Sequence, residues 1–385
     1  MQYLAQIIIE VILLPYVFLL AFISRYKEKK VDIGLGPEPL INNIYHKKAL
    51  SLYGYKVETF VTSSYFITSD FDINLSENYN VHTIIGKFGI FFSLLNLAFK
   101  YKVLYFYFNG GPFGVTNKLL WYFEPLLYKI AKVKTVLMPY GGDIQDMTRC
   151  NNLYFKHVLS KDYPIHKTRR KLISKKIDLW TKHANHVISG CDWVDYMYAW
   201  DTLLVAHFSI EIKHTDQVIQ ERRSDKTFKV FHAPNHTSIK GTSHLIKAID
   251  TLTDEGYQIE LIMLQGVSNE KILETIAQVD LVADQFVIGW YAMFTLEAMS
   301  LGKPVMCYLR EDLVELYTKA NLLQADEIPI INTDIEHIKE NLIWAYENKE
   351  LLKERAQRSQ QYVQEHHSLE YIGSVFDNIN KALLD

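Results

Sequence analysis

The chain is poor in cysteine, with three thiols, Cys150, Cys191 and Cys307, scattered through 385 residues. Such spacing fits neither a disulfide framework nor a zinc site, and the thiols read as small apolar fillers in a reducing compartment. Charge of one sign is not in excess either. Lys and Arg number 41 and Asp and Glu 44, a formal charge of −3. No basic stripe interleaved with stacking aromatics accompanies them, which argues against nucleic acid as a partner. Low-complexity tracts and repeats of solenoid period are missing. What is present is a globular composition, 49% hydrophobic and 22% charged. The length exceeds what one core usually supports, so two domains are expected.

Long hydrophobic runs are likewise scarce, apart from LAQIIIEVILLPYVFLLAFIS at Leu4–Ser24. About 20 apolar residues cross a bilayer core, and this run has that length. It lacks the basic leader and small-residue cleavage site of a secretory signal. Arg25, Lys27, Lys29 and Lys30 follow at once, which by the positive-inside rule keeps the globular part in the cytoplasm. The reading favoured is a single-pass or monotopic anchor in the inner (cytoplasmic) membrane. Gln6, Glu10 and Pro15 interrupt the run, and Glu10 supports the alternative of a helix packed on the protein itself.

Beyond the run, strands alternate with helices. VDIGLGPEPLINN, KVLYFYFNGGPFG and KTVLMPYGGDIQDM each couple a β-rich stretch to glycines and polar residues. The polar interruption KHTDQVIQERRSDK (Lys213–Lys226) breaks the pattern. After it FKVFHAPN, TSHLIKAIDTLTDEG, YQIELIML, NEKILETIAQ and VDLVAD restart the alternation. The fold class expected is α/β: two Rossmann-like doubly wound domains facing a cleft, preceded by a hydrophobic helix. Expected boundaries are 1–30 for the anchor and its basic flank, 31–220 and 221–367 for the domains, and 368–385 for a last helix packing back on the N-terminal domain. Ser368 reads as that helix's N-cap. Doubly wound sheets bind ligands at the carboxyl ends of their strands.

The segment TLEAMSLGKPVMCYL (Thr295–Leu309) carries the most chemistry. Gly302 ends a helix where positive φ is needed, and Pro304 blocks continuation before a strand. Glu297 is left unexplained by that punctuation. The preceding loop, Gln285–Phe294, ends at the helix N-terminus, where free N–H groups and the dipole favour phosphate. An acid one turn further on suits a ribose diol. Glycine-punctuated strand–helix–strand units are common, so a purely structural reading stands beside the nucleotide one.

GWYAMFTLEAMSLGKPV and HAPNHTSIKGTSHLIKAI (His232–Ile249) resemble the donor-binding elements of family-four GT-B glycosyltransferases, the "group 1" bacterial sugar transferases. The likeness is good over Val230–Leu309 and looser in the N-terminal half. It implies that Glu297 binds ribose, that Lys240 neutralises the departing diphosphate, and that Asp143 stands beside the transferred sugar. It further implies donor contacts from Asn235, His236, Gly241, Gln285 and Gly289. The backbone of Tyr291, Ala292, Met293, Phe294 and Thr295 would cradle the phosphates. On the sugar and acceptor side it implies Gly36, Asn109, Gly110, Gly111, Tyr140, Gly141 and Gly142. Three positions depart from the family: Gly289 replaces a glutamate, Asn235 an arginine and Tyr140 a histidine. His232 or His236 would then have to help Lys240. The activity implied is transfer of a hexose from a UDP- or GDP-linked sugar to a glycan, retaining, needing no metal and no cofactor beyond the donor. A membrane anchor suits a lipid-linked acceptor in cell-surface polysaccharide assembly. The rivals are a nucleotide-sugar 2-epimerase and a catalytically silent sugar-nucleotide-binding subunit.

Other features have plainer readings. Asp70-Phe-Asp72 looks like a manganese-binding D-x-D but reads as a solvated turn, and His366-His367 as a helix-entry turn. Gly34-Leu-Gly36 lacks the third glycine of a dinucleotide fingerprint and reads as a loop. The helix Lys167–Lys176, with six basic residues in ten, reads as a solvated face with lipid headgroups as the alternative.

Overall fold

The computed structural model describes residues 2–65, 68–80, 82–114, 117–212 and 227–385. The interruption at Lys213–Lys226, taken above as the domain boundary, lies outside the described residues. Along the first half run α1 (Gln2–Ser24), β1 (Val31–Leu35), α2 (Asn42–Leu52), β2 (Val57–Val61), β3 (Ile73–Asn74), α3 (Leu75–Asn78), α4 (Ile84–Ala98), β4 (Tyr101–Tyr107), α5 (Leu120–Ala131), β5 (Lys134–Met138), α6 (Leu153–Asp162), α7 (Ile165–His183), β6 (His186–Ser189) and β7 (Thr202–Leu203). The second half holds β8 (Phe228–His232), α8 (Thr237–Lys240), α9 (Thr242–Asp254), β9 (Ile259–Met263), α10 (Asn269–Ala277), β10 (Leu281–Ala283), α11 (Met293–Ser300), β11 (Val305–Cys307), α12 (Glu311–Lys319), β12 (Ile331–Asn332), α13 (Ile338–Glu347), α14 (Lys349–His367) and α15 (Leu369–Leu384).

Two compact units result. The first comprises 1–149, 168–207 and 372–385, and the second 150–167 and 208–371. The first unit is therefore not the contiguous stretch 31–220: α6 and the start of α7 belong to the second unit, and most of α15 to the first.

The first unit carries a parallel sheet in the order β3-β2-β1-β4-β5-β6-β7. β4 reads YKVLYFY and is buried at every position but Lys102, as a strand covered on both faces must be. Right-handed crossovers place α4, α5 and α7 on one face and α2 on the other. Trp180 of α7 sits edge-on against Phe106 of β4 at 4.7 Å, and α15 joins α2, with Gly373 directly beneath the Ala49 carbonyl. Tyr105 Oη donates to Asn380 Oδ1 at 2.9 Å, fixing α15 to the central strand. Ser368 Oγ accepts from the Tyr371 amide at 3.1 Å, as an N-cap does.

α1 lies on α5. Its inward stripe, Glu10, Val17, Ala21 and Ser24, is buried at helical spacing, and Phe18 meets Phe123 edge-on. The Glu10 carboxylate accepts from the amides of Lys118, Leu119 and Leu120, at 2.9, 2.6 and 3.1 Å. These are orphan donors at the start of α5, so Glu10 caps that helix from another one. The opposite stripe, Ile8, Ile12, Tyr16, Leu19 and Ile23, is exposed. The helix is thus docked on its own unit, the alternative read for the run, and it is also long and apolar enough to cross a membrane.

The second unit has a parallel sheet in the order β12-β11-β10-β8-β9. Its core joins Val230, Leu281 and Met306 of the strands to Leu245 and Leu252 of α9 and Leu342 of α13. In each sheet the strand order reverses once, between β1 and β4 and between β8 and β10. Loops at the carboxyl ends of such pairs diverge and leave a crevice.

Candidate functional site

In the second unit the reversal puts the loop after β8 beside the loop after β10. Lys240, the last residue of α8, reaches Asp284, the residue after β10, in a close ion pair. Asp284 is almost fully buried and also accepts from Thr295 Oγ1 of α11 at 2.7 Å. The ammonium is therefore aimed by a carboxylate the sequence reading did not single out. Its signal was present, an acid placed directly at the carboxyl end of the buried VDLVAD strand. Gly241 follows Lys240 at φ 77 and joins α8 to α9; the Phe286 amide donates to the Lys240 carbonyl at 3.2 Å, closing the two loops on each other.

α11 starts after Ala292, whose side chain caps nothing, so the helix opens with amides no side chain satisfies. Met293 and Phe294 are half-buried there, with the Phe294 ring edge-on to Phe231. Glu297, one turn in, is buried and accepts from Asn269 Nδ2 of α10 at 2.5 Å. The predicted stop is as expected: Gly302 has φ 65 and its amide bonds the Met299 carbonyl at 3.0 Å. The loop leading into α11 is held by side chains. Asn152 Nδ2 donates to the Val287 and Ile288 carbonyls at 2.7 and 3.0 Å while Oδ1 caps α6, and Gln285 reaches the Trp290 carbonyl. Asn152 was missed in the sequence because nothing local ties it to residues 135 positions away.

Several expectations change here. The Tyr291 side chain is buried, which leaves its expected backbone role untouched. His367 Nδ1–H donates to the Phe208 carbonyl, so Nε2 accepts from Tyr291 Oη at 2.9 Å, and Tyr362 Oη lies 2.7 Å from Tyr291 Oη. His366 and His367 end α14 instead of opening a helix, and His366 turns away to Glu327. Neither proposed helper of Lys240 is a cation. His232 donates from Nδ1 to the Ala283 carbonyl and accepts at Nε2 from Thr242, both at 2.8 Å, and burial lowers its pKa to about 4. His236 packs edge-on to Tyr163, and partial burial together with the Lys240 charge lowers its pKa as well. Asn235 is exposed. Gly289, at φ 100, cannot host a side chain: an added Cβ would lie 2.5 Å from Cγ of Arg310, whose amide bonds the Gly289 carbonyl. Arg310 packs against Gly289 and pairs with Asp312.

In the first unit the residues expected on the sugar side gather at the reversal between β1 and β4, but many of their polar groups serve the loops. Asp143 is fully buried, accepting from the amides of Phe108, Tyr140 and Gly141 at 2.9, 3.0 and 3.0 Å. Burial raises its pKa to about 7 against the pull of those amides. It staples the YGGD turn to the end of β4, its side chain buried among those amides. The Gly111 and Phe113 amides go to buried Glu124, and Lys176 donates to the Asn109 and Gly114 carbonyls. Lys176 thereby departs from the solvated face read for its helix, whose other basic residues stay largely exposed. Asn109 Nδ2 does project, donating to Glu38 Oε1 at 2.7 Å and Tyr140 Oη at 2.8 Å. Glu38, between two prolines after β1, is a new candidate, its pKa raised by burial. Gly34 lies within β1; Gly36 follows, where a Cβ would meet the Phe60 carbonyl at 2.1 Å. Gly142 has open space beside Tyr140, and Gly110 and Gly141 have positive φ. Asp72 takes the Thr59 amide and hydroxyl and pairs with Lys47, a turn as read.

No protein-family model matches the chain, and no curated protein matches it. Solved structures do. The Anabaena protein HepE, crystallised with UDP-glucose, superposes with TM-score 0.58 at 14% identity, over 91% of this chain and 99% of that one. Sucrose-phosphate synthase from Thermosynechococcus elongatus gives 0.56 at 12% identity, covering 92% and 99%. WaaG, a glycosyltransferase involved in lipopolysaccharide biosynthesis, gives 0.51 at 11% identity, covering 91% and 99%. The chain has the GT-B fold, two Rossmann-like units of parallel sheet, as the resemblance implied. At these identities the likeness carries the fold alone.

Proposed function

We propose that the chain is a glycosyltransferase that binds a UDP- or GDP-sugar on its second unit and passes the sugar to a glycan acceptor. The observation that carries this is the Lys240–Asp284–Thr295 cluster beside the uncapped start of α11, at the strand-order reversal of the sheet. A departing nucleoside diphosphate gathers charge on its β-phosphate, and an aimed ammonium with oriented amides opposes that charge best. HepE's complex with UDP-glucose supports the donor class, and WaaG's part in lipopolysaccharide biosynthesis supports a cell-surface product. Glu297 remains the ribose residue in this reading, retention the expected stereochemistry, and no metal is called for. The exposed apolar stripe of α1 and the basic flank behind it support attachment to the cytoplasmic membrane surface, where a lipid-linked acceptor would be met.

Incubation of the full chain with a panel of nucleotide sugars and lipid-linked acceptors tests the proposal, nucleotide release that depends on acceptor being the expected result. Isomerised donor without acceptor would make it an epimerase, and binding without turnover a silent subunit. Removing Lys240 alone would strand a buried carboxylate, a loss of several kcal/mol. The variant to use is Lys240→Gln with Asp284→Asn, which keeps a neutral hydrogen bond and discards the charge.

A further inference from the structure

Amides at the start of a helix bind phosphate best when the loop before them is already ordered, because ordering on binding costs affinity. Residues 285–292, which lead into α11, form neither strand nor helix. Two side chains from distant parts of the second unit hold them. Asn152 Nδ2 takes the Val287 and Ile288 carbonyls at 2.7 and 3.0 Å, from 135 and 136 positions away. His367 takes Tyr291 Oη at 2.9 Å, from 76 positions away. Tyr291 directly precedes Ala292, from which α11 starts, and its ring stacks on Trp290 with 5.4 Å between centroids. The anchor therefore fixes two consecutive side chains at the entrance of the helix.

The anchor is directional. His367 is fully buried, and its Nδ1–H donates to the Phe208 carbonyl at 3.0 Å, which leaves Nε2 as an acceptor. Tyr291 spends its proton there, so Tyr362 Oη donates to Tyr291 Oη at 2.7 Å. Apolar residues at 291 and 367 would fill the same space, whereas a satisfied polar chain fixes one arrangement of it. Its place in the chain is informative too. The second unit begins at 150, resumes at 208 and ends at 371. Asn152, Phe208 and His367 lie at these points or a few residues from them, and the His367 carbonyl accepts from the Ile210 amide at 2.8 Å. The loop ahead of α11 is thus bonded to the segments where the chain enters and leaves its unit. We propose that His367, acting through Tyr291, and Asn152 are positioning residues that hold the start of α11 in the shape the diphosphate needs. The inference rests on the donor site proposed above and requires no contact of either residue with the nucleotide.

Calorimetric titration of UDP and GDP into the full chain and its variants tests this, with Tm read on each protein. An asparagine amide reaches only the Nδ1 position of a histidine, and a glutamine amide reaches Nε2. His367→Asn therefore keeps the bond to Phe208 and loses the one to Tyr291, whereas His367→Gln offers Tyr291 an acceptor again. Nucleotide binding should weaken about three- to tenfold in His367→Asn and return to within about twofold of wild type in His367→Gln. Tyr291→Phe should match His367→Asn, and the two together should lose no more than either alone, because one bond is lost once. Asn152→Ser keeps a hydroxyl to cap α6 but cannot reach the loop, and should weaken binding by a similar factor. Tyr291→Phe removes one oxygen only and keeps the test open if His367→Asn does not fold. Lower Tm with unchanged affinity in Tyr291→Phe and Asn152→Ser would make the contacts merely structural and overturns the proposal. So do additive losses in the Tyr291/His367 double variant. Wild type that binds neither nucleotide removes the donor site itself, and this inference with it, a result distinct from binding that the variants leave unaltered.

Discussion

Glu10→Ala separates a docked α1 from one that leaves the protein to span a bilayer. In the docked helix the carboxylate accepts from three amides at the start of α5, and from Gln6 Nε2 at 2.9 Å. Replacing an ordinary N-cap costs about 0.5–2 kcal/mol. Here the acceptor is charged and buried, and three donors lose it together. At about 1 kcal/mol for each orphaned amide the loss is about 3 kcal/mol. Glu10→Gln keeps the shape and one acceptor oxygen, and should lose about half as much. Urea unfolding in detergent measures both, and hydrogen exchange of the 118–120 amides locates the effect. A spanning helix gives the opposite expectation, because removing an acid from an apolar run favours insertion. A change below about 0.5 kcal/mol with unaltered exchange at 118–120 would refute the docking argument.

Burial holds folded His232 near pKa 4, below the ordinary 6.5. Its contribution is therefore intact above pH 6.5 and lost as pH falls towards 4, by about 2 kcal/mol at pH 5. The stability advantage of wild type over His232→Gln should shrink by that amount between pH 7 and 5, and parallel curves would show the ring is not buried neutral. Asp143→Ala leaves the Phe108, Tyr140 and Gly141 amides without their acceptor and should lower stability by about 3 kcal/mol. If it instead abolishes transfer with unchanged unfolding, Asp143 touches the sugar after all. Gly36→Ala drives a Cβ towards the Phe60 carbonyl and should cost about 1–3 kcal/mol, visible as a lower Tm.

The fold was legible because its signals are local. β4 is apolar apart from Lys102 and β10 throughout, Gly302 and Pro304 punctuate α11, and Ser368 caps α15. The site was legible as segments but not as contacts. Lys240 and Glu297 stand in recognisable motifs, whereas Asp284, Asn152 and Glu38 owe their places to strand order, which no short window contains. Residue type misled most where a polar side chain serves the backbone. Asp143 looks like chemistry in sequence and Lys176 like a solvated face, and in the fold they hold loops by their amides and carbonyls. Burial decided the histidines: His232 and His367 are each pinned between a carbonyl and a hydroxyl, and burial lowers the His232 pKa to about 4. The apolar run escaped a single reading because one acid in 21 residues is compatible with either environment until its partners are seen.

The central claim is that the charge of Lys240, held by Asp284, anchors a nucleoside diphosphate on the second unit. Calorimetric titration of UDP and GDP into the full chain and into the Lys240→Gln/Asp284→Asn variant tests it most directly. One charge-assisted contact is worth about 1.5–3 kcal/mol, so affinity should fall about 10- to 150-fold in the variant. Equal affinity in both proteins, or no binding of either nucleotide to the wild type, would contradict the account.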